Sequence, residues 1–430
     1  MPDRDRPSSA AGSSGRARIW IAAGLIGGVA AWIGIRHHNR ALPEVSRGDR
    51  ERARVESGVS FFSDQWMHDE GIPVYENWAV DVDRLELAPW RRLGARGAYI
   101  RLYGQQGLVN SYVLEIAPGT HTVPERHVFD EYLYVMRGHG RTRFWRKKGD
   151  TPAEVEWGPG SLISPPLNAW HEHANEGSEP ALLVAMTNAP PIVDFYRDPA
   201  FVFDNPAQFD ERWDGNPDFF RQLPRPRAAG EPVADPLHPM VANFIPDVLG
   251  LGDEMFHATA KRGWFVCFSM CGNTLSPHVS TWGPAQYQAA HRHGPGATVL
   301  IVRGEGMALM WPSVAGTQPW TGGHAASVVR ADFRPGTLYS PPDDWYHTHV
   351  NLGPGDATYL AVTPKGREFR LQADPEPGHN PVVERAERLP DKRLPILIRP
   401  ADEDPMLRKI LQDALAARGV HETAQPIAEP

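Results

Sequence analysis

Cysteine is almost absent from this 430-residue chain: Cys267 and Cys271 are its only two. Two thiols cannot build a disulfide framework. If both lay in one straight strand, this i, i+4 pair would stand roughly 13 Å apart, too far to bridge. Two free thiols are expected. A basic excess is also lacking, since 44 Lys and Arg face 52 Asp and Glu, a net charge of −8. That argues against a nucleic-acid partner. Hydrophobic residues at 41% and charged residues at 22% exclude a wholly disordered chain and a multi-span membrane protein. What is abundant is punctuation: 40 Gly and 42 Pro, about a fifth of the chain. These residues are poorly tolerated inside helices, so they argue against a helix bundle and for many short strands.

One long apolar run exists, Ile19 to Ile35, 17 residues without a charge. It sits at the short end of what spans a bilayer. Trp20 and Trp32 lie near its ends, where indoles prefer the interface, and Arg16, Arg18, Arg36 and Arg40 flank it. A single membrane anchor is the preferred reading; a signal peptide and a buried core helix are the alternatives. More Lys and Arg follow the run closely than precede it, so the positive-inside rule leans toward the main body facing the cytoplasm.

The rest of the chain repeats itself. At an offset of 166, Arg126-His127 meets Arg292-His293, Arg137-Gly138-x-Gly140 meets Arg303-Gly304-x-Gly306, and Trp145 meets Trp311. The offset then becomes 176: Gly160 meets Gly336, Pro165-Pro166 meets Pro341-Pro342, and His171-x-His173-x-Asn175 meets His347-x-His349-x-Asn351. The ten extra residues fall near 316–329, a loop composition. Short β-branched and aromatic runs separated by turn residues fill both copies, the pattern of a sandwich or barrel. The expected organisation is a tail at 1–18, the anchor at 19–35, and a juxtamembrane and lead-in segment at 36–94. A first barrel then occupies 95–190, a linker wrapping the barrels 191–259, and a second barrel 260–370. The C-terminal tail, 371–430, carries an amphipathic helix at Pro405–Arg418.

Histidines concentrate in the repeat. In the second copy His291-Arg292-His293 places two imidazoles at i, i+2, on one face if the segment is a strand, and His347 follows 54 residues after His293. Three neutral imidazoles converging inside a barrel suit Fe, Cu, Ni, Co or Zn better than Ca or Mg. The bland alternative is buried structural histidines. In the first copy Glu125 stands where His291 stands in the second; Glu125, His127, Glu131 and His171 form a mixed nitrogen and oxygen set that favours Mn or Fe, or else a decayed site that only supports the fold. His349, two residues past His347, is a candidate acid/base. Tyr346, with Trp345, is a candidate pocket wall and catalytic group, against plain core packing.

Both copies resemble the cupin family, whose motifs are G-x5-H-x-H-x3–4-E-x6-G and G-x5-P-x-G-x2-H-x3-N. The second copy matches at His291, His293 and Gly304, then Gly336, Pro342, His347 and Asn351, with Ala297 replacing the usual Glu and Asp344 the inner Gly. The first matches at His127, Glu131, Gly138, Gly160, Pro166, His171 and Asn175, departing at Glu125 and Asn168. The resemblance implies an all-β bicupin: two double-stranded β-helix (jelly-roll) barrels in tandem, preceded here by the membrane helix. HRHGPGATVLIVRGEG with WYHTHVN is similar to gentisate-type ring-cleaving dioxygenases, which hold Fe(II) on three His, although in that family the metal usually sits in the first barrel.

These features lead to a functional expectation. Three imidazoles without a carboxylate leave roughly three coordination positions of an octahedral ion open. A bidentate anionic substrate and O2 fit that vacancy. The favoured expectation is an Fe(II) dioxygenase acting on a small, oxygen-rich aromatic or enolic acid. The alternatives are a Mn(II) decarboxylase or isomerase of oxalate-decarboxylase type working in the first barrel, and a non-catalytic, membrane-tethered ligand-binding cupin. A homo-oligomer is left open.

Overall fold

The apolar runs of this chain become strands because β-branched and aromatic side chains fit a pleated, buried surface. In the computed structural model the described residues are 62–228, 231, 234, 238–252, 255, 264–294, 296–364, 395–421 and 423–427. The anchor at 19–35 and the tail at 1–18 lie outside them. Among the described residues no helix is long and apolar enough to cross a membrane.

Two equivalent units follow one another. In the first, the strands are β1 (Ala95–Leu102), β2 (Asn110–Ile116), β3 (Glu131–Arg137), β4 (Gly140–Trp145), β5 (Ala153–Trp157), β6 (Leu162–Ile163), β7 (Trp170–Asn175) and β8 (Ala181–Thr187). In the second they are β9 (Trp264–Ser269), β10 (Ser276–Trp282), β11 (Thr298–Arg303), β12 (Gly306–Pro312), β13 (Val329–Phe333), β14 (Thr337–Tyr339), β15 (Trp345–Asn351) and β16 (Ala357–Thr363). The large sheets run β1-β2-β8-β3-β6 and β9-β10-β16-β11-β14; the smaller ones contain β7-β4-β5 and β13-β12-β15. The loop from β12 to β13, where the ten extra residues fall, includes two short 3-10 turns, Ser313–Ala315 and Ala325–Ser327.

Period-two alternation explains the layering. In β3, Leu133 and Val135 face the first unit's own core together with Phe144 and Val155 of its small sheet. Tyr132 and Tyr134 face the other way, into a core shared with Leu300, Val302 and Leu338 of the second unit. In β11, Val299 and Ile301 complete the mirror arrangement with Ala308 and Met310. Each large sheet is thus buried on both faces. That is why its strands read as nearly unbroken apolar runs, and why the two units pack as one body through their large sheets.

The repeat reaches further than the motifs do. Val74–Asn77 pairs in parallel with β1, and Met240–Val241, 166 residues on, pairs in parallel with β9. The edges are exchanged between units. Ala79–Asp81 adds to β14 of the second unit, while Ile245 bridges Leu162 in β6 of the first. These pieces lie inside the segments read from sequence as lead-in and linker. The linker also forms two helices, α2 (Ala189–Tyr196) and α3 (Pro199–Phe203), beside α1 (Phe62–Asp69). Asp198 caps α3 by accepting from the Ala200 and Phe201 amides. At the C-terminal end, α4 (Pro405–Ala416) buries Leu407, Leu411 and Leu415 against the outer face of β12 and β15.

Both cysteines are free and buried. They do not share a strand, however. β9 ends at Ser269, and Cys271 lies in a turn with φ of 53°. The thiol of Cys271 donates to the Ser164 carbonyl, and burial pushes its pKa well up, so it is an inert core group.

Candidate metal centres

The His-Arg-His triplet is not a strand. Residues 288–294 run extended and unladdered, with one bridge where His291 pairs with His347 of β15 and with Leu397. The two reciprocal bonds, His291 N–H to the His347 carbonyl at 3.0 Å and His347 N–H to the His291 carbonyl at 2.8 Å, bring the third imidazole beside the first pair. The convergence expected from i, i+2 geometry is therefore produced by a bridge between two segments instead.

In this second-unit cluster the ligand atoms of His291, His293 and His347 lie within 4.8 Å of one another. Each ring is oriented by its own backbone. Nδ1 of His291 is 3.0 Å from the Ala289 carbonyl, that of His293 2.7 Å from Gly294, and that of His347 3.2 Å from Trp345. A carbonyl only accepts, so each Nδ1 must carry the proton, and each neutral ring keeps its lone pair on Nε2. Nε2 of His347 is buried and makes no hydrogen bond. Burial first, and then the neighbouring His291, His293 and His349, hold His347 well below the ordinary imidazole pKa, so it is neutral and ready to ligate.

The first-unit cluster is His127, Glu131 and His171, all buried. Glu131 begins β3 and His171 lies in β7, while His127 sits on an extended segment whose neighbour Glu125 bridges His171. Glu131 Oε2 is 3.5 Å from His127 Nε2 and 3.9 Å from His171 Nε2. Again the Nδ1 atoms are committed, His127 to the Phe129 carbonyl at 2.9 Å and His171 to the Ala169 carbonyl at 3.0 Å. His127 Nε2, His171 Nε2 and Glu131 Oε2 are all buried without a hydrogen bond. Three buried lone-pair atoms gathered within 4.8 Å of one another and left without a hydrogen bond are costly unless something satisfies them. Ligands at about 2.0–2.2 Å from one ion sit about 3.0–3.4 Å apart, so a transition ion fits this triad with a small contraction. Burial would depress His127, but the Glu131 carboxylate outweighs it and raises its pKa. Burial would likewise raise Glu131, and the His127 imidazole instead holds it well below the usual carboxylate range.

Four sequence candidates stand outside these two clusters. Glu125 is not one of the three clustered ligands: its Oε2 is ion-paired with Arg92, while its Oε1 lies 3.9 Å from His171 Nε2, as far as Glu131 Oε2 does. Tyr346 points away from the histidines, because alternate residues of β15 face opposite sides. Its ring lies in the outer core with Trp311, and its hydroxyl donates to the Pro395 carbonyl at 2.6 Å. Trp345 packs on Trp78, ring centroids 5.3 Å apart, rather than walling a pocket over the cluster. His349 shares the face of His347, ring centroids 5.3 Å apart, but its Nδ1 is engaged with the Tyr339 hydroxyl at 2.6 Å. His173 mirrors it, bonded to Thr142 at 2.8 Å.

Sequence reasoning missed Arg92, Tyr112 and Tyr339. Tyr112 donates its hydroxyl to Glu131 Oε1, leaving Oε2 for the triad. No short-range signal marks them, because β2 and the residues before β1 reach the site only through tertiary pairing. A cavity of about 10 Å³, lined among others by Arg92, Tyr99, Asn110, Tyr112, Glu125 and Glu131, adjoins the triad. It has room for about one water.

The buried imidazoles make a stability prediction. His171, His173, His347 and His349 are all shifted down, in each case by burial first; His173 falls to about 3. Below the ordinary pKa of 6.5 the unfolded chain takes up protons that these folded imidazoles refuse; His127, raised by Glu131, and Glu403, raised by burial, work the other way. Stability is therefore full above about pH 6.5 and falls as pH drops toward the folded values, by about 1.4 kcal/mol per pH unit for each such group. The metal-free protein is expected to lose thermal stability steadily between pH 7 and 5; a flat melting temperature across that range would rule the account out.

A Cupin domain family model matches residues 112–187, which span β2 to β8. No curated protein matches the chain. Among solved structures, a mutant of oxalate decarboxylase from Bacillus subtilis is similar with a TM-score of 0.44 at 14% identity, over 69% of this chain and 79% of that one. Vicilin from hazelnut, Corylus avellana, is similar with a TM-score of 0.41 at 11% identity, over 66% and 85%.

Proposed function

The chain being a bicupin of the cupin superfamily, its matched unit repeated strand for strand in the second half, we propose that it is a metal-dependent enzyme that decarboxylates or rearranges a small carboxylate in its first unit. The reaction class is that of an oxalate decarboxylase. The observation that carries this reading is the buried triad of orphaned ligand atoms on His127, His171 and Glu131. Two imidazoles and a carboxylate suit Mn(II) or Fe(II). When bound, the ion supplies Lewis-acid binding of the substrate carboxylate. His127 and His171 would hold it through Nε2 and Glu131 through Oε2, with Tyr112 fixing the other Glu131 oxygen. Glu125, held by Arg92 beside the triad, is the group to carry a proton to or from the substrate. The neighbouring cavity favours the smallest carboxylates, admitted by movement of the α1 and α2 wall that contributes Trp66 and Ala189.

A second reading rests on the second unit. Three imidazoles with anchored Nδ1 atoms and no carboxylate, Ala297 standing in its place, suit Fe(II) with O2 on an enolic or aromatic acid, as in gentisate-type enzymes. The run at 19–35 is proposed, on sequence alone, to tether the enzyme to a membrane with both units on the cytoplasmic side.

The test is product analysis on the full chain loaded with Mn(II) or Fe(II) and given oxalate, then other small carboxylates. The expected result is CO2 release without O2 consumption, lost in His127→Ala and kept in His293→Ala. O2 uptake lost in His293→Ala and kept in His127→Ala would transfer the assignment to the second unit. No turnover with bound metal would leave a ligand-binding role.

A further inference from the structure

Arg292 stands between His291 and His293 and, among the described residues, is the largest charged side chain fully enclosed, 1% exposed. Burying a guanidinium costs several kcal/mol unless it is fully paired. Two of its partners come from other elements. One is Asp344, in the turn before β15, which takes an ion pair from Arg292 and a 2.7 Å bond from the Ser313 hydroxyl. The other is the Pro395 carbonyl, which accepts from Arg292 Nε at 3.0 Å and also from Tyr346.

The backbone draws the same three elements together. Arg292 N–H donates to the Ile396 carbonyl at 2.8 Å, and Ile398 N–H to the Ala290 carbonyl at 2.8 Å. The ligand segment therefore runs between β15 on one side and the C-terminal segment on the other. Asp344 adopts φ of 61°, and its N–H donates to the His293 carbonyl at 3.1 Å. Aspartate tolerates that left-handed conformation and supplies a carboxylate that a glycine would lack. The C-terminal segment is itself held down by α4 and by Gln425–Pro426, which pairs with Gln286–Tyr287.

The first unit repeats the device in a looser form. Arg126 pairs with Asp204, Asn168 (φ 58°) donates its N–H to the His127 carbonyl at 3.0 Å, and the Asn168 amide donates to Asn205 and Ala207. There the carboxylate partner is 75% exposed; the Arg292–Asp344 pair is 0% and 16% exposed. The arginine and the left-handed turn residue recur at corresponding positions, Arg126 with Arg292 and Asn168 with Asp344, while the carboxylate partner differs, and burial concentrates the effect in the second unit.

We propose that docking of the C-terminal segment and binding of a divalent ion at His291, His293 and His347 reinforce each other, with Arg292 as the positioning residue that links them. This rests on the reading of that cluster as an ion site. Linkage is reciprocal, so the ion must tighten the segment by the factor by which the segment tightens the ion.

The experiment uses the full chain with Co(II) alone as probe, following its visible absorption and amide hydrogen exchange. Co(II) is expected to slow exchange at 396–398 at least tenfold in the wild type and not in His293→Ala. Arg292→Lys keeps the charge but cannot bridge Asp344 and Pro395 together. It is expected to weaken the His293-dependent Co(II) band at least tenfold in affinity, with first-unit binding unchanged as the internal control of folding. Unaltered exchange at 396–398 while that band is present, or wild-type affinity in Arg292→Lys, overturns the coupling. Absence of any His293-dependent band in the wild type removes the ion site itself, and the coupling with it.

Discussion

Glu131→Gln is expected to empty the first-unit triad while the protein stays folded. Glutamine preserves the volume of a side chain that is 1% exposed, so packing is retained. It removes the only carboxylate among the three clustered ligands. It also turns an N–H group toward His127 and His171, whose Nε2 lone pairs then meet a donor rather than an ion. Loss of a partner one shell further out typically costs 10- to 100-fold in metal affinity; loss of the anionic ligand itself is expected to exceed about 100-fold, and turnover to fall with it. The fold is expected to survive because glutamine keeps the shape of the side chain and still accepts from the Tyr112 hydroxyl, although the ionised carboxylate that His127 favours is lost. Elemental analysis after dialysis against Mn(II), beside a thermal melt, checks both halves. A Glu131→Gln protein that retains stoichiometric first-unit metal would refute the ligand assignment. Tyr112→Phe gives the graded comparison: it strips the hydroxyl that donates to Glu131 Oε1 and is expected to weaken metal about tenfold.

How far this triad was legible in the sequence follows from the range of the forces that build it. His127, Glu131 and His171 carry their own motif spacing, and the repeat marks the two histidines as parts of a repeated unit, His127 meeting His293 at an offset of 166 and His171 meeting His347 at 176. Glu125 looked equivalent because it aligns with His291, yet Arg92, 33 residues earlier, claims its carboxylate. No local pattern announces that pairing. Tyr346 is a different matter. The rule that places His347 and His349 on one face of β15 already places Tyr346 on the other, where it meets Trp311. The apolar strands of the large sheets stood out because both faces are buried. Those of the small sheets, such as Val329–Phe333 with its alternating burial, carry polar residues on their outer side and offered a fainter signal. The exchanged edges at Ala79–Asp81 and Ile245 were invisible, because their partners lie in the opposite unit and short edge strands carry almost no periodicity.

Gly306→Ala is expected to be the most damaging small substitution in the second unit, and the damage should reach the ion site. Gly306 begins β12 and pairs with Asn351 of β15 on one side and Phe333 of β13 on the other. A Cβ there would stand 1.9 Å from the Val350 carbonyl oxygen and 2.7 Å from the Phe333 ring. The obstacle is backbone, so no rotamer change relieves it; β15 itself must move. That strand carries His347, and its end is pinned by Asn351, whose amide donates to the Trp282, Gly283 and Gly355 carbonyls. Movement is therefore resisted at one end and transmitted toward the ligand. Gly140 of the first unit meets the same limit, 1.9 Å from the Ala174 carbonyl, so the need for glycine belongs to the repeated strand pair and not to one loop. A loss of more than about 4 kcal/mol, in the range reserved for severe core lesions, is expected for Gly306→Ala, with Co(II) binding at the second unit weakened in whatever fraction folds. Gly355→Ala is the control: a Cβ there meets nothing within 4 Å, and a change within about 0.5 kcal/mol is expected. Urea midpoints for the two variants decide the matter. Equal midpoints would mean that β12 and β15 do not approach this closely, and the path by which the β15 ladder positions His347 would have to be redrawn.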